Sequence, residues 1–126
     1  MKNINKITLL CFALVLAISA CRSGTDASET VDVKVVRGLY SYGPEMRSFT
    51  DCEEGREYWV VDSANTLELA YSNLEFEKPY YPVYIEVEGR VIKSDSLTSS
   101  ANFDSTLVVT KLIKLTKEIP DGPCNQ

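Results

Sequence analysis

The stretch from residue 83 to residue 91 constrains the fold most strongly, because it alternates apolar and polar side chains without a break. Apolar or small residues occupy the odd positions, and larger polar or aromatic residues occupy the even ones: Val83, Ile85, Val87, Gly89 and Val91 against Tyr84, Glu86, Glu88 and Arg90. Successive side chains of a β-strand point to opposite faces of the sheet. The pattern therefore predicts a half-buried antiparallel strand.

Further strands are predicted on both sides of this segment. Residues 33–42 are rich in β-branched and aromatic side chains, and their apolar phase shifts around Val35 and Val36, with Gly38 nearby. This combination indicates a bulge or a sharp coil within one long strand. Residues 107–115 form the last predicted strand, with a phase slip near Lys111 and Leu112.

Two short strands are predicted in the middle of the chain, joined by a hairpin. Residues 47–52 precede Glu53-Glu54-Gly55, a tight connection in which Gly55 can adopt a positive φ. Residues 56–61 return as a strand with Tyr58 and Val60 on one face, and with Trp59 and Val61 on the other.

One helix interrupts the strands. Leu67, Ala70, Tyr71 and Leu74 have the spacing of a single apolar helical stripe. Asn65, with Glu68 three residues later, can cap the start of this helix. The element order predicts a mainly β fold, a small five-stranded Greek-key barrel of the OB-fold type, with one helix between strands 3 and 4. A β-sandwich is the alternative, although it usually has about seven strands and no helix.

The N-terminus has the features of a secretory signal. Lys2 and Lys6 precede a mostly apolar run over residues 7–18, which is too short for a comfortable membrane span and lacks a stop-transfer charge cluster. Ile18-Ser19-Ala20-Cys21 then resembles the lipobox of bacterial lipoproteins. We expect cleavage before Cys21 and lipidation of its thiol, with two or three acyl chains giving stable attachment. The alternatives are a plain secretory signal and a single-span anchor.

The predicted organisation is therefore a signal peptide over residues 1–20, a polar tether over residues 21–32 and one folded domain over residues 33–126. Removing 20 of the 126 residues leaves 106, with 11 basic against 18 acidic residues and a net charge of −7. An acidic chain argues against nucleic acid as a partner.

The cysteine and histidine content limits the kinds of catalytic and metal-binding site that this chain can form. Cys11 leaves with the signal and Cys21 takes the lipid, so Cys52 and Cys124 remain as a pair in an oxidising compartment. We predict a structural disulfide between them, since neither has the Cys-x-x-Cys neighbour of a redox or metal site. The chain has no His, so we expect no Ser-His-Asp triad, no metal site and no cofactor.

Three functional classes fit these features. The first is a non-enzymatic interaction module on a tether, and the second is a module that binds an oligosaccharide or a peptide. OB-folds often bind ligands around strands 2 and 3, where the candidate residues are Trp59, Tyr58, Arg56 and Tyr40. The third class is an enzyme, but no nucleophile–base pair or phosphate-binding loop is evident. We therefore predict that the chain is not an enzyme.

Several stretches carry a family resemblance: residues 36–42, Ser48-Phe49-Thr50-Asp51-Cys52, residues 55–60, 67–71 and 87–89, and the near-terminal Cys124. Together they resemble the C-terminal OB domain of the NlpE family of outer-membrane lipoproteins. The resemblance covers about residues 35–126. It implies an OB-fold and a disulfide that ends at the C-terminal cysteine, which matches the pair Cys52 and Cys124.

The resemblance also implies a cellular location and a role. NlpE proteins act in envelope-stress and surface-contact signalling, are associated with copper resistance, and carry an N-terminal lipocalin-like domain with a Cys-x-x-Cys motif. This sequence shows neither that domain nor that motif. We therefore expect an adaptor in the cell envelope, anchored by its lipid and binding an envelope protein. Arg22-Ser23 after the lipidated cysteine favours the outer membrane, with the domain in the periplasm.

Overall fold

The computed structural model describes residues 31–126, so the predicted signal peptide, Cys21 and nearly all of the predicted tether lie outside the described residues. Within this part the strands and the α-helix follow one another in the predicted order, and one short 3-10 helix is present in addition. The elements are β1 (Lys34–Tyr42), β2 (Arg47–Asp51), β3 (Glu57–Asp62), α1 (Thr66–Ser72), β4 (Val83–Lys93), the 3-10 helix (Ser99–Asn102) and β5 (Ser105–Thr116).

The strands close into a barrel in the order β1-β2-β3-β5-β4. Strands β3 and β5 pair in parallel, and all other neighbours pair antiparallel. Closure leaves the core inside the barrel, where Tyr40, Phe49 and Val60 are fully buried. The strand order, with the helix between β3 and β4, confirms the predicted OB-type barrel.

Strand β1 closes the barrel because it pairs with β4 along its first part and with β2 along its second part. Gly38 takes part in both ladders, and a Cβ atom there would lie 2.1 Å from the carbonyl oxygen of Thr50. The register runs through Gly38 without interruption, so the strand has no bulge at this point. The glycine instead permits the close approach of β2.

Strand β5 contains the predicted phase slip. Its register with β4 shifts twice, leaving Thr110 and Ile113 without partners in the ladder. Leu107 and Val109 are buried before the shifts, and Leu112 and Leu115 pack against the core after them. The irregularities therefore keep apolar side chains inward along a strand that curves around the barrel.

Helix α1 buries Leu67 and Tyr71 in the same core cluster as the inward side chains of the barrel. Its first turn is not capped by the predicted Asn65, whose side chain makes no capping bond and whose backbone is left-handed at φ 54°. Asp62, the buried last residue of β3, accepts hydrogen bonds from the N–H groups of Leu67 (2.8 Å) and Glu68 (3.0 Å). The side chain that caps α1 is therefore Asp62 of the preceding strand.

A disulfide joins Cys52, just after β2, to Cys124 in the C-terminal tail, with the two Cα atoms 4.8 Å apart. This is the pair predicted from the sequence. It fixes the tail against the barrel, where the tail has no strand partner of its own in the described structure.

Candidate functional site

A groove crosses the outer face of β3 between the β1–β2 turn and the β4–β5 loop. We call it the Trp59 groove. Its volume is about 470 Å³, within the size range of small-molecule sites. The side chains that line it include Arg47, Trp59, Val61, Ile92, Lys93 and Ser100.

Alternation along β3 places Trp59 in this groove. Tyr58 and Val60 are buried in the core, so the residue between them points outward. Its indole is half-buried because the ring of Phe103 lies 5.8 Å away, centroid to centroid, at an interplanar angle of 59°. A partly covered indole beside a groove offers both apolar area and an N–H donor to a ligand.

Two exposed aliphatic side chains line the groove. They are Val61 and Ile92, which are 42% and 44% exposed. Leu97 lies in the β4–β5 loop between the lining residues Asp95 and Thr98, but it does not line the groove itself and is 92% exposed. Single exposed apolar residues are ordinary, but a cluster around a groove is typical of an interaction site.

Hydrogen bonds hold the β4–β5 loop in place. The hydroxyl groups of Thr98 and Ser100 are 2.7 Å apart, and those of Ser94 and Thr106 are 2.9 Å apart. Asp95 Oδ1 also accepts a hydrogen bond from the N–H of Leu97 at 2.9 Å. The loop therefore presents its groove-lining residues from a pre-organised backbone, which lowers the entropy cost of binding.

Arg47 connects the groove to the helix. Its Nη1 atom lies 2.6 Å from Glu68 Oε1 in α1, and its guanidinium carbon is 5.7 Å from the centroid of the Tyr42 ring. The side chain is 42% exposed. Arginine held in this way keeps donors free for a carboxylate or a carbonyl group of a ligand.

The four residues predicted as a ligand site are not brought together. Trp59 lines the groove, whereas Arg56 and Tyr58 line a different depression of about 640 Å³. Phe103 also lines that depression, so the Trp59–Phe103 pair lies between the two. Arg56 pairs there with Glu54, with Nε and Oε2 3.3 Å apart.

Tyr40 lies in the core and has no exposed surface, so it cannot contact a ligand. Burial raises the pKa of its hydroxyl well above the usual range, and the nearby carboxylates of Glu68 and Asp62 raise the pKa further. The hydroxyl has no hydrogen-bond partner among residues 31–126. Its role is packing, as the T-shaped contact with Tyr71 at 5.7 Å shows.

The aliphatic residues of the groove, Val61 and Ile92, were not predicted as site residues, because both continue strand patterns that gave no reason to single them out. In residues 31–126 no group of three or more carboxylate or thiol side chains is arranged to hold a metal ion. No helix in this part is long and apolar enough to span a membrane.

The closed five-stranded barrel, the helix between β3 and β4 and the groove beside the β4–β5 loop define an OB-fold domain. The family model described as the NlpE C-terminal OB domain matches residues 30–124, and the chain belongs to this family. The resemblance inferred from the sequence is thus confirmed.

Among solved structures, the chain is similar to the crystal structure of the Cpx pathway activator NlpE from Escherichia coli. The two are 26% identical, with a TM-score of 0.50 over 69% of this chain and 42% of the other. This chain thus spans less than half the length of that protein. A comparison with curated proteins gave no match.

Proposed function

We propose that this protein is a lipid-anchored, non-enzymatic interaction module of the cell envelope that binds a partner protein through the Trp59 groove. The observation that carries the proposal is that Trp59 and the exposed aliphatic side chains of Val61 and Ile92 line the same groove. An aliphatic and aromatic centre with charged groups near it, here Arg47 and Lys93, is the usual composition of a protein interface.

The family supports the envelope setting. The similar solved protein is named as a Cpx pathway activator, and the matched family is a domain of NlpE. We propose the same broad role for this chain, an adaptor that reports on or scaffolds an envelope-stress or surface-sensing system. The domain would lie in the periplasm, attached to the outer membrane through the lipid on Cys21.

The chemistry of the groove favours binding over catalysis. Its buried hydroxyl groups, Ser100 and Thr106, hydrogen bond to other hydroxyl groups rather than to a base. The sequence contains no His to act as that base at neutral pH. Hydroxyl groups in this arrangement shape the loop and are not activated as nucleophiles.

The test is a pull-down of the full-length lipoprotein from crosslinked envelopes of its native host. Ile92→Asp places a charge in the groove, and Leu69→Asp is the matched control, because Leu69 is 62% exposed on α1 and does not line the groove. We expect one envelope protein to be recovered by wild type and by Leu69→Asp, but not by Ile92→Asp. Equal recovery by both variants would contradict the proposal.

Metabolic labelling tests the lipid anchor on Cys21 separately. Growth with an alkyne-labelled palmitate should label wild type, and Cys21→Ala should remain unlabelled. A label that persists in Cys21→Ala would show that the lipid is attached elsewhere.

A second candidate is an oligosaccharide or peptide ligand in the same groove, favoured by the half-exposed indole of Trp59 above a loop rich in hydroxyl groups. Trp59 is the single tryptophan of the chain, so its fluorescence reports directly on the groove. A ligand of this kind would shift the emission of the purified protein without any partner protein. If no envelope fraction freed of protein shifts the emission, this second candidate fails.

A further inference from the structure

The segment between α1 and β4 carries a stacked pair of aromatic rings, neither of which lines the Trp59 groove. Phe76 and Tyr81 stack with their centroids 5.0 Å apart at an interplanar angle of 14°. Tyr81 is 58% exposed, whereas Phe76 is partly buried against the core. We call these two residues the aromatic platform.

The backbone around the platform adopts unusual conformations that tertiary contacts hold in place. Glu75 and Tyr80 both have positive φ values, 52° and 67°, which are uncommon for residues other than glycine. The N–H of Tyr80 donates to the carbonyl of Tyr42 at 2.9 Å, and the hydroxyl of Tyr71 donates to the carbonyl of Tyr81 at 2.8 Å. Such conformations persist only where the surroundings determine them, and they cluster at functional sites.

Tyr80 adds a third anchor. Its ring lies over Gly43, where a Cβ atom would be 2.3 Å from the ring, and its hydroxyl accepts a hydrogen bond from the N–H of Glu45 at 3.1 Å. The segment is thereby fixed to the β1–β2 turn. A ring presented from a fixed segment loses little conformational freedom when a ligand stacks on it.

We propose that the aromatic platform is a binding site for a neutral saccharide. A depression of about 470 Å³ opens beside it, lined by Glu75, Phe76, Glu77, Lys78 and Tyr81. The C–H face of a pyranose ring is apolar and fits against an aromatic face, while its hydroxyl groups both donate and accept hydrogen bonds. The carboxylates supply acceptors and the ammonium group supplies donors at the edge of the ring.

The ring that meets the ligand is Tyr81. Phe76 is already contacted by Tyr81 and by Lys117, whose Nζ lies 4.8 Å from the centroid of the Phe76 ring. Phe76 therefore supports the platform from beneath, and the outer face of Tyr81 remains open.

The charges around the platform favour a neutral saccharide over a charged one. Glu75 and Glu77 contribute two negative charges, and Lys78 and Lys117 contribute two positive ones. The local balance gives no net attraction for a strongly anionic or cationic polymer. None of the residues that line this depression lines the Trp59 groove, so the two sites can be tested separately.

Saturation-transfer NMR on the full-length protein tests the proposal, with maltotriose, cellotriose and chitotriose as probes. We expect transfer to the ring protons of at least one probe. Tyr81→Ala should weaken its binding by about tenfold, since aromatic contacts contribute on this scale, whereas Tyr81→Trp should retain it. Leu69→Ala should leave it unchanged, because Leu69 is exposed on α1 and lines neither depression.

Two outcomes would overturn the proposal. They are no transfer to any of the three probes, and transfer that survives Tyr81→Ala. If the surviving transfer is lost in Trp59→Ala, the saccharide is assigned to the groove. Thermal unfolding of Tyr81→Ala at the wild-type midpoint confirms that the variant is folded, since the anchoring bond at residue 81 is made by its backbone carbonyl.

Discussion

Tyr40 carries a polar hydroxyl group into the apolar core of the barrel. Its ring is fully buried and its hydroxyl has no partner in the described structure. A buried polar group without a hydrogen bond is destabilising, so Tyr40→Phe should leave the free energy of unfolding unchanged or raise it by about 1 kcal/mol. Urea unfolding of the two proteins measures the difference. A loss of stability would mean that the hydroxyl has a partner in solution.

The same residue makes stability depend on alkaline pH. An unfolded tyrosine ionises near pH 10, while burial raises the pKa of folded Tyr40 above that value. Between the two pKa values the unfolded state releases a proton that the folded state keeps, so stability present below pH 10 falls as pH rises. The slope should be about 1.4 kcal/mol per pH unit for this group. Tyr40→Phe should show a shallower decline, and equal slopes would contradict the assignment.

The helix cap can be tested at a single residue. Asp62→Ala removes the acceptor of two backbone N–H groups in the first turn of α1 and should cost about 1–2 kcal/mol. Asn65→Gly is the control, because glycine accepts the positive φ of residue 65 and no side-chain bond is lost there. Equal destabilisation by both changes in chemical denaturation would argue against the cap.

Local sequence rules do not predict the residue that caps α1. Asn65 and Glu68 have the spacing of a capping box, and local rules select them for that reason. The observed cap depends on how β3 runs into the helix, which places the Asp62 carboxylate at the first turn. That placement is a property of tertiary geometry and has no fixed spacing in the sequence.

At the level of elements, the glycine of β1 has a specific role. Gly38→Ala would place a Cβ atom 2.1 Å from the Thr50 carbonyl oxygen and 2.7 Å from the Phe49 ring. The two strands would have to separate, and we expect a loss of more than about 2 kcal/mol. Gly55→Ala is the control, since nothing lies within 4 Å of its added Cβ and only the positive φ of 69° opposes it. That change should cost about 1 kcal/mol, and thermal denaturation compares the two.

The disulfide connects elements that are far apart in the chain. It closes a separation of 72 residues, for which chain entropy gives about 4 kcal/mol of stabilisation. The double variant Cys52→Ser/Cys124→Ser should therefore unfold at a clearly lower temperature than the oxidised wild type. Unfolding at the same temperature would show that the tail is held by other contacts.

Strand periodicity explains why most elements were predictable. Alternation in β4 and the phase slip in β5 are local patterns, and both appear in the structure. The alternation in β4 holds from Ile85 to Arg90, whereas Tyr84 is buried and Val91 is exposed. In β1 the apolar phase shifts at Val35 and Val36, so the sequence does not show which side chains face inward. That ambiguity is the reason Tyr40 was predicted at the surface and lies in the core.

At the scale of the whole molecule, the barrel separates its core from two outward-facing sites. Alternation in β3 was enough to place Trp59 outside, but the groove also needs the β4–β5 loop, whose hydroxyl pairs form between residues up to 12 positions apart. Ile92 and Tyr81 line their sites because of their position in the fold, which composition and periodicity do not contain.

The most direct test of the account is site-specific photo-crosslinking of the anchored protein in intact cells of its native host. A benzoylphenylalanine at position 61 or at position 92 lies in the groove, and one at position 69 lies on the exposed face of α1. Binding through the groove predicts a discrete adduct with one envelope protein from position 61 and from position 92, and none from position 69. No adduct at the groove positions, or the same adducts from all three positions, would contradict binding through the Trp59 groove.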